Sequence, residues 1–81
     1  MTSYFESVLE RHYQNFIFTY KMYAYSSKLV ECLYHDALEE IKHLVKQFQK
    51  AGYTYSELHF YSRLYSRKIK HFYFARVSLS H

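Results

Sequence analysis

Proline is absent from this chain, and glycine and cysteine each occur once, as Gly52 and Cys32. Without proline nothing forces a kink or removes a helix hydrogen bond, and a single glycine leaves one evident place for a sharp reversal. One cysteine excludes a disulfide within the chain, and a lone thiol favours a reducing compartment. Long apolar runs are missing as well. The longest uncharged stretch, Tyr13 to Tyr20, is too short and too polar to cross a bilayer. Met1 to Glu10 holds two acids and no basic residue, the wrong composition for a secretory signal. These absences predict a soluble protein, cytoplasmic (intracellular), with no membrane partner.

What is abundant is aromatic. Eleven tyrosines and seven phenylalanines, with no tryptophan, lift the hydrophobic fraction to 49%, clear of the compositions that stay disordered. The 81 residues make one helical domain, 1–81, whose core is small and whose stability margin is thin. Chains of this size often rely on a metal, a second subunit or very efficient helix packing.

The apolar residues recur at helical intervals. Leu9, Tyr13, Phe16, Tyr20 and Tyr23 alternate steps of four and three, which no strand can use. Ser3 and Glu6 have the spacing of a capping box at the start of this helix. Val30, Tyr34, Ala37, Ile41, Leu44 and Phe48 keep the same alternation, widened by Leu33, Leu38 and Val45 to a core-facing stripe. Ser26-Ser27 is the one break before it, with Ser27 as the expected N-cap. Gly52 ends the second helix as a left-handed cap, and Thr54 with Glu57 opens a third. Leu58, Tyr61, Tyr65, Ile69 and Phe72 form its stripe, with fraying expected from Ser78 to His81.

The expected architecture is an all-α three-helix bundle, with helices over about 3–25, 28–51 and 55–76, its core completed by dimerisation where one chain is too small. Those ranges take in 69 of the 81 residues. A rival arrangement keeps one helix unbroken from Tyr4 to Lys50, and such a chain would have to oligomerise to close a core.

Charge is unevenly spread. Residues 1–52 hold six basic and six acidic residues, whereas 53–81 hold five basic residues against Glu57, so all of the net +4 lies in the last third. His59, Arg63, Arg67 and Lys70 fall on one stripe of the third helix, flanked by Phe60 and Phe74. That face admits three readings: a solvated surface, a protein contact built on arginine and aromatic rings, or a nucleic-acid contact. No helix-turn-helix spacing, zinc spacing or glycine-rich loop supports the last. A second apolar set on the first helix, Phe18, Met22 and Tyr25, is either sandwiched between its neighbours or reserved for another chain.

Catalytic and metal-binding patterns are thin. Glu40 and His43 have the Glu-x-x-His spacing of di-iron bundles, but no second copy accompanies them. Cys32 with His35, or Glu31 with His35 and Glu39, would give at most part of a metal site. Cys32 lies beside the apolar stripe, where a buried, inert thiol is the commonest outcome, and His12 reads as a hydrogen-bonded core residue. The sequence therefore predicts a non-enzyme without cofactor or metal. It reads as a protein-interaction module that regulates, adapts or inhibits a protein partner, and as a homodimer. Its partner-binding residues are Phe18, Met22, Tyr25, His59, Arg63, Arg67 and Lys70. Nucleic-acid binding through the basic face of the third helix is the alternative.

Overall fold

A computed structural model of the chain describes residues 3–79, and the side chains of 3–77. It contains α1 (Tyr4–Met22), α2 (Ser27–Lys50) and α3 (Tyr55–Leu79), each packed against the other two. Helices account for 88% of it, with no strand among the described residues. The all-α three-helix bundle expected from periodicity is the fold.

The breaks fall where local chemistry puts them. α1 stops three residues earlier than expected, because the Tyr23 N–H is shared between the carbonyls of Thr19 and Tyr20, both at 3.2 Å, and the chain turns through Tyr23–Tyr25. The unbroken helix from Tyr4 to Lys50 is thus not formed. Ser26, rather than Ser27, caps α2: its hydroxyl accepts the Leu29 N–H at 3.2 Å. At the other end Gly52 has φ +99°, its N–H meets the Gln49 carbonyl, and the Tyr53 N–H meets the Phe48 carbonyl, both at 3.1 Å. The Tyr53 and Phe48 rings pack at 4.9 Å across the same cap, so backbone and side chains close the turn together.

Two expectations at helix ends need correction. Ser3 makes no side-chain cap on α1; its hydroxyl donates instead to the Glu57 carboxylate at the start of α3, so the first capping box gives way to a tie between two helices. Thr54 does accept the Glu57 N–H, at 3.4 Å. α3 runs to Leu79 rather than Arg76. Arg76 lies over the Phe72 ring at 3.5 Å and donates to the Phe72 carbonyl at 3.2 Å, a cation seated on the last turns where the helix dipole favours it. Ser80 and His81, the rest of the tail expected to fray, lie outside the described residues.

Each helix gives four side chains to the core: Phe5, Leu9, Phe16 and Tyr20; Val30, Tyr34, Ala37 and Ile41; Leu58, Tyr65, Ile69 and Phe72. No polar or charged side chain is fully buried among the described residues. Aromatic rings gather at the two ends of the bundle. Phe5 packs on Phe48 at 4.9 Å at one end; at the other Phe72 meets Phe16 at 5.7 Å and Tyr20 at 5.2 Å edge to face, and Tyr34 stacks on Tyr73 at 4.1 Å. The resulting rod measures 43 × 18 × 17 Å, and its radius of gyration of 13.6 Å exceeds the value of about 12 Å for a compact chain of this length.

Leu44 and Phe48, the last two residues of the expected α2 stripe, are only half-buried, and full burial stops at Ile41. Cys32 is exposed, not buried, because α2 turns that flank away from both neighbours. His12 makes the expected hydrogen bond, its Nε2 donating to the Ala37 carbonyl at 2.9 Å and bonding α1 to α2, but it is half-buried at the edge of the core rather than inside it.

Candidate functional site

The hairpin of α2 and α3 assembles a groove of about 730 Å³. One wall is the stripe His59, Arg63, Arg67 and Lys70, all exposed. Four-residue steps bring Arg63 and Arg67 onto one face of α3, about 6 Å apart along the axis. The opposite wall carries Lys42, His43 and Lys46 from α2. Between the walls the floor holds half-exposed Val45 above buried Ile41 and Leu58, with Ser62 and Ser66 on the α3 side. Glu39 is the one carboxylate lining the groove, and Lys42 already holds it at 3.2 Å.

The α2 wall was not read from the sequence, where Lys42 and Lys46 belong to the solvent face of their own helix. The signal was present: the short link through Gly52 makes the helices antiparallel neighbours, and each lysine follows directly after a groove-floor residue, Ile41 or Val45. Aromatic rings border the cationic wall. Tyr55 stacks on His59 at 5.4 Å and 13°, exposed Phe60 shares a shallow depression with Arg63 and Arg67, and exposed Phe74 shares another with Arg67 and Lys70.

Phe18, Met22 and Tyr25 lie elsewhere. α1 contributes no residue to the groove or to the depressions beside it. Phe18 and Met22 are 68% and 55% exposed on the outer side of α1, so they are not sandwiched between helices. Tyr25 is off the helix altogether, in the turn, where its ring meets Tyr23 at 6.2 Å. The single set expected from helical spacing is thus a pair of helix residues and a turn residue.

Between α1 and α3 a different polar cluster forms. The Tyr65 hydroxyl, then the Gln14 amide at 3.1 Å, hold the Glu10 carboxyl below its ordinary value. Burial, reinforced by the Glu10 carboxylate, pushes the Tyr65 hydroxyl well above its own. Lys68 lies 4.7 Å over the Tyr65 ring and 5.7 Å over Tyr13. These contacts tie two helices together.

Of the metal-ligand spacings, Glu31 and His35 stand 4.0 Å apart as an exposed pair, and Glu39 pairs with Lys42. Among the described residues no three His, Cys, Asp or Glu side chains come together to hold an ion. No helix among those residues is long and apolar enough to cross a membrane. The chain matches no family model, no curated protein and no solved structure.

Proposed function

We propose that this chain is a helical interaction module: it regulates, adapts or inhibits a partner protein by binding it, and carries out no reaction of its own. The observation that supports this reading is the outer face of α3, where Arg63 and Arg67 stand exposed beside Tyr55 and Phe60. Arginine and large aromatics are the side chains that dominate binding energy at protein interfaces. Arginine's planar fork pairs two oxygens or stacks on a ring, which lysine's point charge cannot do. The double variant Arg63→Lys with Arg67→Lys should therefore weaken binding of a protein partner about tenfold at unchanged helix content. Full-strength binding by that variant in high salt would reduce the stripe to a solvated face.

The second reading is nucleic-acid binding, and the added row of Lys42 and Lys46 opposite the arginines favours it. A phosphate-driven contact depends on charge, so the same lysine variant would bind an oligonucleotide almost normally and a double glutamine variant would not. Its affinity would also fall steeply with salt, which an aromatic-anchored protein contact resists.

Pairing of two copies belongs to the first reading, supported by Phe18 and Met22 left exposed on α1. Sedimentation across a concentration series should show a dimer that Phe18→Ser with Met22→Ser dissolves; a monomer at every concentration ends that part of the reading. A reducing, intracellular setting fits as well, supported by the exposed thiol of Cys32.

A further inference from the structure

We infer that the groove between α2 and α3 is a seat for one amphipathic helix of acidic character from a partner protein, which would complete a four-helix bundle. The inference rests on the interaction-module reading and names the chemistry of the partner.

Three observations converge on that occupant. Half-exposed Val45 is the apolar surface at the floor, over Ile41 and Leu58 buried beneath it and beside Ser62 and Ser66, and both walls carry cations, with Lys42 and Lys46 facing Arg63 and Arg67. An apolar stripe flanked on both sides by carboxylates is the complement of that section. Phosphates would find cations on the walls and the hydroxyls of Ser62 and Ser66 between them, but would leave the apolar surface of Val45 unused. The repeat also fits. Cations four residues apart on each wall recur about every 6 Å, the spacing of carboxylates four residues apart on another helix, and the near-parallel packing of bundles keeps the two in step. His59 to Lys70 covers about 16 Å, so three turns of a docked helix fill the wall.

A second copy does not meet these terms. Two such grooves face to face would oppose cation to cation. Three of the seven acids of this chain are engaged at home, Glu10 with Tyr65 and Gln14, Glu39 with Lys42 and Glu57 with Ser3. The acidic stretch of α2, Glu31 to Glu40, has its apolar stripe of Val30, Tyr34, Ala37 and Ile41 buried in the chain's own core, so a second copy offers no acidic helix with a free apolar face.

The test uses the full chain and a labelled synthetic peptide of about 18 residues, long enough to be helical alone, with a leucine stripe flanked by glutamates. Controls are the same peptide with lysine at every glutamate, and single- and double-stranded oligonucleotides of matched charge. Fluorescence anisotropy should show saturable binding of the acidic peptide and none of the lysine peptide. Arg63→Gln with Arg67→Gln should lower that affinity tenfold or more, and Val45→Asp, which charges the floor at a half-exposed site, should abolish it. Leu29→Ser, at an exposed position of α2 away from the groove, should leave it unchanged. Helical dichroism of every variant confirms that it folds. Oligonucleotides that bind more tightly than the peptide, indifferent to Val45→Asp, would overturn the inference in favour of nucleic acid. Absence of peptide binding would overturn it as well. The broader reading fails separately: it survives if a protein partner binds through Phe18 and Met22 indifferent to every groove variant, whereas the groove inference does not.

Discussion

Ile69→Ala should cost about 2–5 kcal/mol of unfolding free energy, the usual loss when a fully buried branched side chain is cut back to a methyl group. Ile69 is fully buried on α3, midway along the face that meets both α1 and α2. A domain of 81 residues commands about 4–12 kcal/mol in all, so the variant stands near the edge of folding. The informative control is Leu44→Ala. Leu44 is half-buried, so less apolar area returns to water and the surroundings relax into the gap, for a loss of about 1–2 kcal/mol. Urea unfolding followed by helical dichroism gives both numbers. Equal losses would show that α2 turns a different face to its neighbours.

Alkaline solution should unfold this protein more steeply than acid does. Burial raises the hydroxyls of Tyr34, Tyr65 and Tyr73 above the ordinary tyrosine value of 10, and Tyr61 follows from burial together with the Glu6 carboxylate. A group that keeps its proton longer when folded stabilises the fold fully below its unfolded value, and that contribution is lost as pH climbs from there through the folded value. Four tyrosines share one window, so stability should hold to pH about 9 and fall above pH about 10, with phenolate absorbance appearing as helical dichroism disappears. The acid limb has the opposite sign. Glu10, held below 4.5, contributes above that pH and ceases to as the pH falls through its folded value. Tyr65→Phe keeps the ring against Tyr13 and Lys68 but removes the proton, so its alkaline fall should be shallower. An unchanged alkaline slope in Tyr65→Phe would mean that Tyr65 does not drive the transition.

Helix content, helix count and the segregation of charge onto the last third were all legible in the sequence. They depend on chemistry within a few residues: a four-three apolar rhythm, the hydroxyls of Ser26 and Thr54, and one glycine able to take φ +99°. Phe5 lies one turn before Leu9 on the same stripe, so its burial was legible too, though read only once the fold was in hand. Tertiary structure decided the remainder, because periodicity assigns residues to a face without saying how much of that face the neighbours cover. It left Leu44 half-exposed, turned Cys32 outward, and placed Tyr25 beyond the end of α1. It drew the Ser3 hydroxyl from its own helix to Glu57, a partner 54 residues away that no local motif indicates. The groove belongs to the same class. Neither Lys42 and Lys46 nor Arg63 and Arg67 define a site alone, and only two antiparallel helices side by side turn two exposed charge rows into facing walls above Val45.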